Sequence, residues 1–336
     1  LIKSFNKSKP IKHDHERLFK AVDITRIKPK TILLGTSRTR SGLNPSYQVF
    51  DNYQPVYNVG LPAGNIYELK RYFQHALANQ PNLKLVILEI DSFSFNTYQK
   101  NTPDFTENRL ETNSISWQDV MNTTLSMDAL IASIDTAVSN RTNPKIFTPY
   151  VNGMLDYGVA KKPYSVSAFT TFLARGPYLL SREYLGDFEY IVKTCQSRGI
   201  EIKVFISPTH VTYLENIRVD GNWENYKQWK REIVKIVPVW DFSGYNSITT
   251  EKYSDKVVMK NYRDSSHYSS AVGQLILNRL FHYQEENVPP DFGVLISPDN
   301  VEAHIAKIDA EREEWVKNNS DVVKFVQDLK ITSKGE

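Results

Sequence analysis

The chain has 336 residues, of which 40% are hydrophobic and 12% aromatic, enough apolar material for a large buried core. Its 41 basic and 38 acidic residues leave a net charge of +3, and no dense stripe of Lys and Arg indicates a nucleic-acid partner. The single cysteine, Cys195, excludes an intrachain disulfide and a cysteine-rich metal site. No apolar run approaches the roughly 20 residues that are needed to span a bilayer.

The N-terminal segment, residues 1–29, opens with a polar and basic stretch, and we interpret it as a leader or linker. The sequence begins with Leu1 rather than Met, which is typical of an expressed or processed fragment. A removed signal peptide or an N-terminal anchor would explain such a start.

Beyond residue 29, predicted strands alternate with predicted helices. Short apolar runs predict buried strands at 31–35, 55–60, 83–90, 200–206 and 237–242. Apolar residues at helical spacing predict helices at 65–77, 183–197 and 269–283. This alternation predicts an α/β fold in three layers, with a parallel sheet covered by helices on both faces.

Two regions lie outside the alternation. Residues from about 97 to 180 are rich in Asn, Thr, Ser, Tyr and Pro, include a predicted helix at 117–138, and are too long for a connecting loop. We interpret them as a cap inserted over the carboxyl edge of the sheet, within an α/β domain of residues 30–285. Residues 286–336 form a C-terminal tail, and its amphipathic stretch at 299–330 predicts helices that pack on the body or on a partner.

Ser37 follows the first predicted strand in the turn Gly35-Thr36-Ser37. A side chain at this place lies at the carboxyl edge of the sheet, where open α/β folds bind ligands. The Ser37 hydroxyl could act there as a nucleophile, and its backbone N–H could point at a developing oxyanion. A serine that only caps the following helix would give the same pattern.

Asp264 and His267 lie in the motif Asp264-Ser265-Ser266-His267, directly before the last predicted helix of the sheet region. A serine hydroxyl becomes a good nucleophile when an imidazole takes its proton, and a carboxylate fixes the tautomer of that imidazole. Two intervening residues allow one loop to present both groups. Taken alone, a helix-capping Asp followed by a surface His would give the same motif.

Together, the two segments resemble the SGNH hydrolase family, the GDSL-like esterases, whose first block carries the nucleophile and whose last block is Asp-x-x-His. The resemblance covers roughly residues 30–96 and 183–283, with Thr in place of the family's Asp in the first block. It implies a flavodoxin-like sheet and a catalytic triad of Ser37, His267 and Asp264. This chemistry needs no metal and no other cofactor, and the sequence contains neither a Gly-rich phosphate loop nor a His-Glu-x-x-His motif.

The resemblance also implies an oxyanion hole. Besides the Ser37 N–H, the family uses the N–H of a glycine after the second strand, for which Gly64 is the first candidate because it stands before a helix, and Gly60 the second. The family's third block, Gly-x-Asn-Asp, supplies an Asn side chain that donates to the oxyanion. No Asn stands at that place here, and an ionised Asp91 cannot donate. Three nearby polar residues could substitute, namely Ser92, Ser94 and Asn96. Otherwise the oxyanion hole rests on backbone N–H groups alone.

Three further residues are predicted to bind substrate: Arg38, Asn65 and His210. Arg38 and Arg40 flank the nucleophile and could hold an anionic group or cap a carboxylate, although surface exposure would explain both as well. His210 follows the fourth predicted strand at the same edge of the sheet, where a substrate contact and a structural hydrogen bond fit the pattern equally. Asn65 stands directly after Gly64.

The segment from Gly35 to Pro45 and the closing Asp-Ser-Ser-His-Tyr are similar to a divergent branch of the family, the periplasmic or membrane-anchored partners of polysaccharide O-acetylation and of teichoic-acid D-alanylation. This similarity implies a serine-dependent acyl ester hydrolase or O-acyltransferase that acts on acyl groups of a carbohydrate, acetyl above all. It implies an extracytoplasmic location with an anchor before Leu1, and a membrane-bound O-acyltransferase as partner. The many aromatic residues between 145 and 245 suit a sugar substrate, but they suit a protein core equally.

Two alternatives stay open at this point. The altered third block and the helical tail are compatible with a catalytically weak or inactive SGNH-fold subunit, which would bind a partner or a glycan in a system that modifies cell-envelope polysaccharide. A cytoplasmic, lipase-like esterase is the other alternative. The sequence pattern does not distinguish hydrolysis from transfer, and it does not indicate an oligomeric state.

Overall fold

The computed structural model describes residues 16–112, 114, 150–158, 160, 162–173 and 176–333. The lysines before residue 16 and the predicted helix at 117–138 lie outside the described residues. The segment interpreted as a cap is therefore described only in part.

A six-stranded sheet forms the centre of the molecule. The described strands are, in chain order, β1 Thr31–Thr36, β2 Val56–Leu61, β3 Leu85–Ile90, β4 Tyr150–Val151, β5 Met154–Leu155, β6 Glu201–Ile206, β7 Val239–Asp241 and β8 Val294–Ile296. The sheet has the order β2-β1-β3-β6-β7-β8, while β4 pairs with β5 in a separate hairpin. All neighbours in the sheet run parallel except β8, which runs antiparallel to β7. The predicted α/β fold with a parallel sheet is thereby confirmed for five strands, whereas the antiparallel edge strand β8 was not predicted.

Helices flank this sheet. In chain order they are α1 Glu16–Ile27, α2 Ser37–Gly42, α3 Ile66–Asn79, α4 Glu107–Leu110, α5 Val166–Thr170, α6 Arg182–Ser197, α7 Val211–Val219, α8 Trp223–Val234, α9 Ser270–Phe281, α10 Val301–Asn318 and α11 Ser320–Ser333, with 3₁₀ turns at Gln48–Tyr53, Ser92–Phe95 and Glu285–Asn287. The predicted helices correspond to α3, α6 and α9, whereas α1, α7 and α8 were not predicted.

The core is divided by the sheet into two apolar layers. In β1, Ile32 and Leu34 belong to the layer that includes α3, α6 and α8, whereas Leu33 belongs to the layer that includes α9. Alternate residues of β3 divide in the same way. Because successive side chains of a strand point to opposite faces, this division places helices on both sides of the sheet, as predicted.

Helix α1 lies in the segment that we interpreted as a leader or linker, and the structure makes it part of the body. Ala21 and Ile24 are buried in the core. Charged residues of α1 are buried as well because they are paired; Arg17, for example, forms an ion pair of 2.6 Å with Glu68. From the sequence alone, the charged residues of α1 are typical of a solvated linker, because the side chains that pair with them are known only from the structure.

Helices α10 and α11 occupy the predicted helical tail. α10 packs against α8, and α11 packs against α7. Strand β8 also lies beyond residue 285 and completes the sheet, so the body extends into the segment interpreted as a tail. Among the described helices, none combines the length and the apolarity that a membrane crossing requires.

Candidate active site

Ser37 lies at the carboxyl end of β1, as the first residue of α2. The side chain of Thr36 caps this short helix by accepting the Arg38 N–H at 3.3 Å. The first N–H groups of a helix have no acceptor within the helix. The Ser37 N–H is therefore available to a ligand beside its own hydroxyl.

Glu89 of the neighbouring strand β3 stabilises this turn by accepting three hydrogen bonds. Its Oε2 accepts the Thr36 N–H at 2.6 Å and the hydroxyls of Thr36 and Thr39, both at 3.0 Å. Gly35 makes room for the carboxylate, because a β-carbon there would lie 2.5 Å from the same Oε2. Sequence analysis does not identify this role, although Glu89 is the one charged residue in the apolar strand Leu85–Ile90.

Ser37, His267 and Asp264 form one continuous chain of hydrogen bonds. The distance from Ser37 Oγ to His267 Nε2 is 2.8 Å, and His267 Nδ1 lies 2.9 and 3.0 Å from the two carboxylate oxygens of Asp264. Since an ionised carboxylate can only accept, Nδ1 carries the proton and Nε2 is left to accept the Ser37 hydroxyl. The structure thus brings the three predicted residues together in the order that serine activation requires.

The Asp-x-x-His spacing allows Asp264 to fold back on its own loop. Its Oδ1 accepts the N–H of Ser266 at 2.7 Å and the N–H of His267 at 2.8 Å. The Arg263 N–H donates to His267 O at 2.9 Å and closes the loop at its base. The main chain therefore fixes the carboxylate in the orientation in which it contacts the imidazole.

Arg38 lines the site, but its guanidinium ties two loops together. Nε donates to the carbonyl oxygen of Ser266 at 3.1 Å and to its hydroxyl at 3.0 Å, and Nη1 forms an ion pair with Asp91 after β3. The rings of Tyr213 and Phe93 lie 4.9 and 5.5 Å from Cζ. Arg38 is only 2% exposed. In place of the predicted substrate contact, the structure therefore gives Arg38 a positioning role.

Neither predicted glycine offers its N–H to the site. The Gly64 N–H donates to Leu61 O at 3.0 Å, and the Gly60 N–H donates to Asn58 Oδ1 at 2.9 Å. Gly60 instead permits close packing, because a β-carbon there would lie 2.2 Å from Arg40 N. Their position in the chain does not reveal where their N–H groups point, and both predictions are corrected.

Ala63, which lies between these glycines, is a backbone N–H donor that the sequence does not indicate. It lines the same cavity as Ser37 and has a φ of 52° in the turn Leu61–Gly64. Pro62 O accepts Arg17 Nη2 at 2.8 Å. Because the C=O and N–H of a trans peptide point in opposite directions, the Ala63 N–H points away from Arg17. It donates to no acceptor among the described residues.

Two more hydrogen bonds hold the Ala63 turn in place. Gln99 Nε2 donates to Ala63 O at 2.7 Å, and Ser94 Oγ donates to Gly64 O at 2.9 Å. The Ser94 hydroxyl is thereby committed to the turn and does not face the site. With its neighbouring carbonyls fixed, the Ala63 N–H is a preorganised donor.

Asn96 holds a neighbouring segment and also lines the cavity. Its Nδ2 donates to Pro177 O at 3.0 Å, and its Oδ1 accepts the Leu179 N–H at 3.1 Å. Because an amide nitrogen carries two N–H groups, this bond does not exclude the predicted role of Asn96. Ser92 lines the same cavity and is half-buried, and its hydroxyl has no hydrogen-bond partner in the described part of the chain. Ser92 and Asn96 are therefore the predicted side-chain donors that line the cavity.

Asn65 is a helix cap rather than a substrate contact. Its Oδ1 accepts the Glu68 N–H at 2.9 Å, and its Nδ2 donates to Gln99 O at 3.1 Å. The side chain is fully buried and does not line the cavity. The amide thus fixes the start of α3, which corrects the predicted role.

His210 is likewise structural. Its Nε2 hydrogen-bonds Glu251 O at 2.6 Å, its Nδ1 hydrogen-bonds Thr212 Oγ1 at 2.9 Å, and its own N–H donates to Ser265 O at 3.1 Å. Burial lowers the pKa of His210 to about 4, against the hydrogen bond to Glu251 O, which raises it. The ring is thus neutral at pH 7, lies outside the cavity, and supports the Asp-x-x-His loop from behind.

The triad opens into a cavity of about 600 Å³. The turns after β2 and β3, helix α7, the Asp-x-x-His loop and parts of the segment 157–178 form its walls. Its aromatic lining includes Phe93, Tyr157, Phe172, Tyr178, Tyr213 and Tyr226. The ring of Phe172 contacts the His267 imidazole edge-on, with centroids 4.7 Å apart. A small organic ester fits a cavity of this size.

Comparison of the chain with protein-family models, with curated proteins and with solved structures found no match. Within the described ranges, no group of three or more His, Cys, Asp or Glu side chains could hold a metal ion. The chemical capability of the site follows from its geometry, in which the Ser37 hydroxyl contacts His267 and opens into an aromatic cavity that Ala63 and Ser92 also line.

Proposed function

We propose that the protein is a serine-dependent acyl ester hydrolase or O-acyltransferase. The observation that carries this proposal is the unbroken chain of hydrogen bonds from Asp264 through His267 to Ser37, which opens into a cavity. A capping serine and a surface histidine would not need to meet across 230 residues of sequence. Their contact favours catalysis over the purely structural explanation of each motif.

In the first step, Ser37 Oγ attacks the carbonyl carbon of a bound ester while its proton passes to His267 Nε2. The new C–O bond forms as the carbonyl electron pair moves onto oxygen. Asp264 stabilises the imidazolium through Nδ1. We assign the N–H groups of Ser37 and Ala63 to the resulting oxyanion, with the Ser92 hydroxyl as a third donor.

In the second step, the tetrahedral intermediate collapses and the bond to the leaving alkoxide breaks. The alkoxide takes the proton from His267 Nε2, and the acyl group stays on Ser37. In deacylation, water or a sugar hydroxyl attacks the acyl carbon and gives its proton to His267 Nε2. The second tetrahedral intermediate then collapses, the bond from the acyl carbon to Ser37 Oγ breaks, and His267 returns the proton to Ser37. Hydrolysis results with water, and O-acyl transfer with a sugar.

The placement of these residues supports an SGNH-type enzyme. Ser37 follows β1, the Asp-x-x-His loop precedes α9, and the sheet order places β1 between β2 and β3. Segment 157–178 contributes walls to the cavity, which supports the interpretation of the region from about 97 to 180 as a cap.

We further propose that the acyl group, acetyl above all, is carried by a carbohydrate. The aromatic walls of the cavity support this class of substrate because flat rings pack well against the C–H faces of sugars. An extracytoplasmic location and a membrane-bound O-acyltransferase as partner belong to the same proposal and rest on the resemblance to the O-acetylation branch.

Hydrolysis of 4-nitrophenyl acetate tests the proposal. Replacement of the nucleophile in Ser37→Ala should lower kcat/KM at least about 1000-fold, because loss of a triad member removes most of the rate enhancement. The control Ser46→Ala, at an exposed serine, should retain wild-type activity. A fluorophosphonate probe should label Ser37. Equal rates for the wild type and Ser37→Ala, or no labelling, would refute the proposal.

A catalytically weak or inactive subunit that binds a partner or a glycan is the second candidate. It is favoured by one observation, namely that the N–H groups of Gly60 and Gly64 are engaged elsewhere. This candidate predicts that an acetylated oligosaccharide binds with equal affinity to the wild type and to Ser37→Ala, without release of acetate.

A further inference from the structure

Three arginines line the cavity, and they differ in how their charges are balanced. Arg38 is paired with Asp91, and Arg40 forms an ion pair of 2.8 Å with Glu16. Arg263 forms no ion pair with a carboxylate in the described part of the chain. Of the three arginines, Arg263 is thus the one without a directly contacting carboxylate among the residues that the structure describes.

The Arg263 side chain is nevertheless held in a defined orientation. Its Cζ lies 4.3 Å from the centre of the Tyr157 ring, and its Nη2 donates to Gly158 O at 3.0 Å. Tyr157 is itself fixed, because its hydroxyl accepts Arg40 Nη2 at 3.3 Å. Arg263 Nε is buried without an acceptor, and Nη1 has no acceptor among the described residues. A positioned guanidinium thus keeps unused donors.

The nearest acidic side chains do not contact the Arg263 guanidinium directly. Asp156 and Asp264 act on its charge from a distance and raise its pKa, whereas burial lowers it. Asp264 is hydrogen-bonded to His267, and Asp156 Oδ1 accepts the Gly158 N–H at 2.8 Å, so both carboxylates are oriented towards other partners. The unused donors of Arg263 can therefore serve a bound anion.

We propose that Arg263 binds an anionic group, a carboxylate or a phosphate, on the carbohydrate whose ester Ser37 cleaves or forms. This inference rests on the proposed function and adds the charge of the substrate to it. A guanidinium suits the task because its planar fork can donate to two oxygens of one anion. Arg263 directly precedes Asp264, so the anion would lie in the part of the cavity next to the triad.

The test compares three acetylated substrates: a neutral xylo-oligosaccharide, a galacturonate oligosaccharide with carboxylates, and a sugar phosphate. Acetate release gives kcat/KM for each. We expect the wild type to prefer at least one anionic ester by about tenfold, the effect of one charge-assisted contact. Arg263→Gln should abolish this preference, Arg263→Lys should keep part of it, and Arg263→Glu should reverse it.

The preference is measured as the ratio of kcat/KM for an anionic ester to kcat/KM for the neutral ester. A variant that is only less active overall does not change this ratio. All three esters react at Ser37, and a change in folding or in the triad next to Arg263 therefore cancels in the ratio. The control Arg182→Gln removes a charge at an exposed position and should keep the wild-type ratio. The carboxylate and phosphate substrates show which anion Arg263 recognises.

Equal kcat/KM for neutral and anionic esters, or an unchanged ratio in Arg263→Gln, would overturn the anion site while the esterase proposal stands. If no ester is turned over, the esterase proposal fails, and calorimetry tests the anion site separately. In Ser37→Ala, a galacturonate oligosaccharide or a sugar phosphate should bind, and Arg263→Gln should weaken that binding about tenfold. Absence of binding, or no weakening, would overturn the inference.

Discussion

Two clusters of buried charge lie at the carboxyl edge of the same sheet, and they serve different ends. The site cluster, Arg38, Asp91 and Ser266, joins the ends of β1 and β3 to the Asp-x-x-His loop. The rear cluster, Lys230, Asp241 and His304, joins α8, β7 and α10. Arg38 and Ser266 line the cavity, whereas no member of the rear cluster does.

The two clusters differ because the chain segments that follow β1 and β3 border the cavity, whereas helices cover the end of β7. β1 and β3 lead into turns that remain open to the cavity, so their charges can orient groups that meet a substrate. The carboxyl end of β7 is closed by α8 and α10, and Asp241 is 1% exposed. Buried ion pairs of similar chemistry therefore position the Asp-x-x-His loop beside the cavity at one strand end and hold helices together at another.

Breaking the rear cluster should give the largest effect on stability. Asp241→Ala leaves the buried Lys230 without its carboxylate, which should lower the free energy of unfolding by about 3–5 kcal/mol. Urea denaturation measures this loss. kcat/KM for 4-nitrophenyl acetate should stay within about threefold of wild type, since a cluster outside the cavity should not alter the triad.

Glu314→Ala provides the control for Asp241→Ala. Glu314 pairs with Lys317 on the exposed face of α10, and its loss should cost less than about 1 kcal/mol. A loss below about 1 kcal/mol for Asp241→Ala as well would contradict the structural role of the rear cluster.

On acidification, His210 behind the site should lower the stability of the protein at a higher pH than the rear cluster does. The pKa of His210, behind the site, is lowered from 6.5 to about 4 because burial disfavours the charged ring. As the pH falls below 6.5, the unfolded chain binds a proton that the folded chain excludes, so stability falls between pH 6.5 and 4 by up to about 3 kcal/mol. The pKa of Asp241 is lowered, because Lys230 and His304 outweigh the burial that raises it, so its contribution is lost only below about pH 3.8.

Urea denaturation from pH 4 to 7 measures this pH dependence. His210→Gln should be less stable than wild type at pH 7 but should lose less stability on acidification, because the titrating ring is gone. The two proteins should converge towards pH 4. Parallel curves for wild type and His210→Gln would show that His210 does not titrate in this range.

The smallest effect is expected from a conservative change in the site cluster. Arg38→Lys keeps a positive charge for Asp91 but loses the forked hydrogen bonds to Ser266, so kcat should fall about tenfold with little change in KM. Stability should fall by about 1 kcal/mol. Arg231→Lys, at a surface ion pair with Glu302, is the control. A rise in KM at constant kcat would instead assign Arg38 to substrate binding, as the sequence suggested.

The sequence predicted the parts of the fold whose pattern is local. β1 and β3 are continuous apolar runs, which is typical of strands buried on both faces. α1 was not predicted because Arg17 and Lys20 read as solvated charges, and only the tertiary structure supplies their partners. α8 is amphipathic, yet its many polar residues hide the buried face that includes Trp229.

Within the site, the meeting of Ser37 with His267 was predicted because the order of the two motifs in the chain resembles the SGNH hydrolase family, whereas each motif alone was ambiguous. Residue type and order in the chain were not enough for the oxyanion donors. The direction of the Ala63 N–H depends on carbonyl contacts from Arg17, Gln99 and Ser94, which are distant in sequence. A non-glycine residue with positive φ is uncommon, so the pattern favoured a neighbouring glycine.

The 230 residues between Ser37 and His267 also order events during biosynthesis. At roughly 5–20 residues per second, the ribosome adds His267 roughly 10–50 s after Ser37. Until then the serine lacks its base and is an ordinary alcohol. The proposed site therefore lacks its base while most of the sheet is being made, and a chain terminated before Asp264 would carry Ser37 without the groups that activate it.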